Sequence, residues 1–278
     1  SHSFIIILFL FSFLILGIFS DLKTNFSPKL RLLLQSILVI LFIYSLDIKI
    51  NKTGLFFLDY FISNTIFNLF FSSICIIILI NGSNFCDGVN CNVVGYYLIV
   101  SLAILFGAFP NPANFPDIRI IITIFFIFYL LNLFQKSFLG DNGVYVINIF
   151  MAIYVISIIN INNYISPLLA LNLLWYPAFE NLFTIIRRLN ANKKIDEADG
   201  LHFHTLLLNK IFYVNKNFIF SNSLTGILIN LFIFIGIFLS INYYNDAKIL
   251  TLILIVNITI YVLIYFLFLS RKTKFKSH

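Results

Sequence analysis

Apolar runs long enough to cross a bilayer recur along the whole of this chain, and no other feature limits its folding as tightly. A membrane-spanning helix needs about 20 mostly apolar residues. Nine such runs can be read, approximately Phe4–Phe19, Leu30–Ile48, Asn64–Ile80, Val93–Phe109, Ile118–Phe134, Val144–Ile159, Tyr164–Ile186, Leu224–Ser240 and Ile249–Ser270. They are continuously apolar and do not alternate with period two, so the expectation is an all-α integral membrane protein and not a β-barrel. Composition excludes a water-soluble fold: 60% of the 278 residues are hydrophobic and 10% charged, against roughly 45–50% and 25% in soluble domains. A single transmembrane domain over residues 1–278 is expected.

The formal net charge is +7, which in a soluble protein would suggest nucleic acid, but here its distribution carries the information. If successive runs alternate in direction, the polar breaks fall into two sets. One holds Lys23, Lys29, Arg31, Lys136, Arg187, Arg188, Lys193, Lys194, Lys210, Lys216, Arg271, Lys272, Lys274 and Lys276; the other holds Lys49, Lys52, Arg119 and Lys248. The first, 14 of the 18 Lys and Arg, is expected to be cytoplasmic, with the C-terminus inside and Ser1 outside. The first run lacks a basic segment before it and has Asp21 and Lys23 directly after it, unlike a secretory signal peptide.

Cys75, Cys86 and Cys91 give neither a disulfide framework nor a zinc spacing, and two of them fall in an inner break. Asn68, Asn132 and Asn172 lie within runs, but Asn is abundant throughout. They are weak pointers to function, and helix–helix hydrogen bonding is the expected use.

The outer breaks are short, and Pro110 to Pro116 reads as a tight extracytoplasmic turn. Four inner breaks carry distinctive polar strings. GIFSDLKTNFSPKLRLLLQ, from Gly17 to Gln35, places an acidic residue at a helix end before a short basic loop. NGSNFCDGVNCNVVG, from Asn81 to Gly95, offers two Asn and an Asp able to bind a cation or phosphate, though turn formers of this kind also make ordinary loops. In FLGDNG, from Phe138 to Gly143, two glycines permit close backbone approach and Asp141 supplies a hard oxygen ligand. The longest inner loop follows Arg187 and Arg188 and contains Ala198 to His204, with His202 and His204 two residues apart.

Together and in this order, the four strings resemble the polyprenyl-phosphate N-acetylhexosamine-1-phosphate transferases, the glycosyltransferase family 4 superfamily that includes phospho-MurNAc-pentapeptide translocase. FSDLK with SPKLRLLLQ is similar to the family's paired-aspartate motif, and NGSNFCDGVN to its Asn-x-x-Asn-x-x-Asp-Gly-x-Asp loop. FLGDNG is similar to its Gly-Asp motif, LHFHTLL to its His-rich loop, and Pro177 to Glu180 to the helix leading into that loop. Three departures stand out: Ser20 occupies the place of the first paired aspartate, Asn90 that of the second carboxylate of the Asn-rich loop, and Thr205 that of a third His. The family's first two helices and a basic cytoplasmic loop are also absent, as in a truncated sequence or a shortened relative; restored, they would give eleven spans, suited to members acting on free UDP-sugars.

The resemblance implies transfer of an N-acetylhexosamine-1-phosphate from a UDP-sugar such as UDP-N-acetylglucosamine to polyprenyl (undecaprenyl) phosphate. UMP is released and a lipid-linked glycan for cell-wall or surface-polysaccharide synthesis is begun, at the cytoplasmic face of the inner membrane. It implies Mg²⁺, or Mn²⁺ in its place, on Asp141 helped by Asn84. Asp87 would hold the loop or nucleotide, Phe138 would pack on uracil, and Asp21 would orient or deprotonate the lipid phosphate. His202, His204 and Arg188 would meet the diphosphate or sugar. The implied partners are the lipid phosphate, the nucleotide sugar and the bilayer, without nucleic acid; a homodimer is compatible with them. Two other readings stay open: a catalytically impaired homologue, since Ser20 and Asn90 each remove a carboxylate, and a transporter, which would usually place ionisable groups near the midplane.

Overall fold

A computed structural model describes residues 2–22, 27–192 and 200–275. Lys23, Lys193, Lys194 and Lys276 of the charge count, and Ala198 and Asp199 of the fourth string, lie outside the described residues. Within them the protein is all helical: α1 (His2–Leu22), α2 (Pro28–Leu46), α3 (Phe56–Ile62), α4 (Thr65–Cys86), α5 (Asn92–Phe106), α6 (Ile118–Leu133), α7 (Gly140–Ile161), α8 (Leu168–Asn190), α9 (Phe203–Asn215), α10 (Phe218–Asn242) and α11 (Ala247–Phe275). Each of the nine apolar runs falls on a helix, and the short α3 and α9 lie between runs.

Seven helices, α1, α2, α4, α7, α8, α10 and α11, are long and apolar enough to cross a membrane. The other two runs form shorter helices than expected, α5 with 15 residues and α6 with 16. At 1.5 Å per residue they rise roughly 22–24 Å, short of a hydrocarbon layer of about 30 Å. The missing length is in the connections. α5 ends at Phe106, three residues short of the expected Phe109, and the Pro-containing segment 107–117 separates α5 from α6. That segment is anchored as well as turned: Asn111 Oδ1 accepts from the Ile118 N–H at 3.2 Å and from the Tyr154 hydroxyl at 2.7 Å.

Local signals set several helix starts. Ser27 caps α2 by accepting the Leu30 N–H, with Pro28 in the first turn, and Asn64 caps α4 through the N–H groups of Ile66 and Phe67. Between helices, lipid supplies no hydrophobic drive, so close packing and interhelical hydrogen bonds hold the bundle. α4 packs against α2, α7 and α8, α1 lies along α7, and α5 lies between α6 and α10. The asparagines of the apolar runs bond helix to neighbour: Asn148 donates to Leu79 O at 2.8 Å and the Tyr97 hydroxyl at 2.7 Å, and Asn172 to Leu250 O at 3.1 Å. Asn132 accepts the Cys91 N–H, and Asn68 donates to Ile50 O and Ile62 O. Alternation of the helices gathers the C-terminal ends of α1, α4, α6 and α8 with the N-terminal ends of α2, α5, α7 and α10, and this end carries all four polar strings.

Candidate active site

Asp141 is the hub. It lies in the first turn of α7, directly after Gly140, whose φ of 60° starts the helix in a conformation open to glycine. One carboxylate oxygen, Oδ2, accepts from Ser20 Oγ at 2.5 Å, Arg31 Nη1 at 3.1 Å and the Tyr145 hydroxyl at 3.0 Å. The other, Oδ1, accepts from Asn84 Nδ2 at 2.5 Å. Residues from α1, α2 and α4 thus converge on one acid at the start of α7, and the Arg31–Asp141 ion pair is partly open to solvent.

Asp21 meets the same turn from another side. Its carboxylate accepts the backbone N–H groups of Asp141 at 3.0 Å and Asn142 at 3.5 Å. α7 has no side-chain cap of its own, so α1 supplies one across the interface, with negative charge at the positive end of the helix dipole. Asp21 is exposed.

Asp87 closes α4 and is half-buried. Burial first, and then the charges of Asp141 and Asp21, push its carboxyl up to about 8. The next residue fits only as glycine: a Cβ on Gly88 would stand 2.0 Å from Nε2 of His204. His204 is thereby wedged against the Asp87 loop and is buried, and burial pushes its imidazole down to about 4, with His202 adding to the shift and Glu180 opposing it. Asn90 faces elsewhere. Its N–H donates to Asn222 Oδ1 at 2.6 Å and its Nδ2 to Ser223 Oγ at 3.3 Å, so the buried side chain ties the loop to α10.

A second cluster stands on the other side of the last turn of α4, around Phe85. His202 lies 5.2 Å from the Phe85 ring and parallel to His204 at 5.6 Å, and the Arg188 guanidinium lies 5.5 Å from the Phe85 centroid. Arg188 is buried in the last turn of α8. Nδ1 of His202 is 3.0 Å from Oε1 of Glu180, whose other oxygen accepts the Tyr261 hydroxyl. Phe138 is 65% exposed just before Gly140, so its ring is open for stacking.

The fold therefore brings Asp21, Asn84, Asp87 and Asp141 into one group and His202, His204 and Arg188 into a neighbouring one, with Phe138 at the edge. Four partners were not singled out from sequence as site residues: Arg31, Tyr145, Glu180 and Tyr261. Tyr145 follows Asp141 by four residues, the spacing at which helical side chains meet, and Arg31 sits one turn into a helix opened by Ser27 and Pro28. Glu180 and Tyr261 carry no comparable local signal.

The first group offers donor atoms of the kind that divalent cations take. Its carboxylates and the Asn84 amide oxygen are hard oxygen donors; Asp87 is raised by burial first and then by the charges of Asp141 and Asp21, and a cation among them would oppose that second contribution. Among the described residues no three His, Cys, Asp or Glu side chains form a closed metal cage. One or two carboxylates completed by substrate phosphates is the arrangement that suits Mg²⁺.

No curated protein matches the chain. The family model of glycosyl transferase family 4 matches residues 3–159, more than half of the chain. That stretch runs from α1 to near the end of α7 and contains the first three polar strings, with Asp21, Asn84, Asp87 and Asp141. By this match the chain belongs to glycosyl transferase family 4.

Proposed function

We propose that the protein transfers a sugar-1-phosphate from a UDP-N-acetylhexosamine to polyprenyl phosphate and releases UMP. One observation carries the reading: Asp141 is gripped by Ser20, Arg31 and Asn84, so three of the strings that resemble the transferase motifs meet at one carboxylate. An oxygen of the lipid phosphate attacks the β-phosphorus of the nucleotide sugar, and the bond from that phosphorus to the oxygen bridging to the α-phosphate breaks. The bridging oxygen leaves with UMP.

Both reactants are anions. Mg²⁺ held by Asp141 and the carbonyl oxygen of Asn84 would supply neutralisation of charge developing on the leaving phosphate. The rest falls to the chain. Arg31, beside Asp141, offers a fixed guanidinium to a phosphate arriving from the α1–α2 side. Asp21 holds the first turn of α7 and keeps Asp141 in place. Asp87 borders the nucleotide, and Phe138 presents an exposed ring to uracil. His202 and Arg188 face the diphosphate or sugar, while His204, buried against Gly88, positions the loop. The lipid phosphate, with a second pKa of about 6, is already largely ionised at pH 7. The lack of a carboxylate at position 20 should therefore slow the reaction and not abolish it, and Ser20 serves as a donor to Asp141.

The site end is assigned to the cytoplasmic face of the inner membrane by its excess of Lys and Arg. Impermeant thiol labelling of single cysteines should then reach Asn111 and Lys248 from outside but not Asp87 or His202. The transfer is tested with membranes, added polyprenyl phosphate and UDP-sugars labelled in the uridine. Mg²⁺-dependent release of labelled UMP is expected, abolished by Asp141→Asn in protein that still inserts. Absence of release from every UDP-N-acetylhexosamine, or normal turnover by Asp141→Asn, would overturn the reading.

A further inference from the structure

Glu180 is a carboxylate on a membrane-spanning helix, 1% exposed, and the reaction as described gives it no part. Burying a charge is costly unless it is bonded, so its partners show what it is for. Tyr261 of α11 donates its hydroxyl to Oε2, and Nδ1 of His202 stands 3.0 Å from Oε1. Thr184, one turn further along α8, places its hydroxyl 3.5 Å from the same Nδ1. The carboxylate lies at the junction of α8, α11 and the residue that opens α9.

We propose that Glu180 is the positioning residue for His202, fixing the imidazole with a proton on Nδ1 and thereby dictating which ring nitrogen is turned toward the substrate. An ionised carboxylate only accepts, so the proton between the two must sit on the ring. With Nδ1–H committed to Glu180, Nε2 is the acceptor nitrogen of the neutral ring. The Tyr261 hydroxyl keeps the carboxylate from rotating, and Phe85 at 5.2 Å and His204 at 5.6 Å flank the ring. This is the arrangement by which buried acids orient functional histidines in other proteins. That Nε2 meets the diphosphate rests on the proposed transferase reading; the Nδ1–H assignment does not.

Two measurements separate these layers. ¹⁵N spectra of the labelled full chain in detergent, with His202 assigned by its loss in His202→Gln, should show Nδ1 protonated. Glu180→Gln should retain this tautomer, because its carbonyl still accepts, whereas Glu180→Leu should release it. A His202 signal with Nδ1 unprotonated in the unmodified protein would overturn the inference whether or not the protein is a transferase. In the UMP-release assay, Glu180→Leu should lower kcat roughly 10–100-fold, the loss seen when a carboxylate partner of a functional histidine is removed. The same substitution placed on His202→Gln should cost little more, because the two act as one unit. Equal losses in both backgrounds would make Glu180 a packing residue and overturn the positioning role. If no UDP-sugar is turned over at all, the transferase reading fails while the spectra still decide the tautomer.

Discussion

Asp21, the last acid of α1, accepts the backbone N–H of Asp141 at 3.0 Å, so one site aspartate is the helix cap for the other. The pair couples a stability term to a chemical one. Asp21→Ala removes a cap worth about 1 kcal/mol and loosens the turn that holds Asp141. The variant should show a lower melting temperature and a lower kcat together, and Asp21→Asn, which still accepts, should recover most of the melting temperature. Full loss of activity with no change in melting temperature would instead assign Asp21 to the chemistry alone.

Ser20 donates to Asp141 Oδ2, so Ser20→Asp would set two carboxylates face to face. Like charges at that separation repel unless a cation lies between them. Thermal melts should therefore show a larger gap between Mg²⁺ and EDTA for Ser20→Asp than for the unmodified protein. Turnover at saturating Mg²⁺ should rise by about tenfold or more if the added carboxylate also serves as a base. An unchanged Mg²⁺ gap would place the cation away from Ser20 and Asp141.

Asn90 stands where the resemblance implies a carboxylate, yet its side chain bonds Ser223 on α10. Restoring the acid should not raise activity. Asn90→Asp would bury a carboxylate beside a single hydroxyl, at a cost of about 1–3 kcal/mol. The expected result is a lower melting temperature with kcat unchanged, and a gain in kcat would mean that residue 90 reaches the substrate.

His204 sets a pH dependence. Its folded value, about 4, lies below the ordinary value of 6.5, so in the interval between them the detached state binds the proton more readily. The docking of α9 should be fully stable above about pH 6.5 and weaken as pH falls through the folded value. Hydrogen exchange in α9 between pH 7 and 4, corrected for intrinsic rates, should show protection falling in that direction. His204→Gln should flatten the dependence, and an unchanged slope in that variant would move the effect to another group.

The nine apolar runs, the sorting of Lys and Arg and the grouping of four polar strings at one end were all legible in the sequence, because insertion into a bilayer reads local hydropathy and local charge. Helix lengths were less so: the expected run reaches Phe109, but α5 stops at Phe106 and gives way to the Pro-containing segment 107–117. What the tertiary structure alone decided is which way side chains face. A helix that is apolar on every side gives no period from which to read its buried face, so apart from the four-residue spacing of Tyr145 from Asp141 and the place of Arg31 one turn into α2, nothing local says which way these side chains face, and nothing says that Asn90 turns to α10. Glu180, His202 and Tyr261 meet across 22 and 81 residues of chain. A contact between helices far apart in sequence is fixed by how α8, α9 and α11 pack together, and only the folded bundle contains that information.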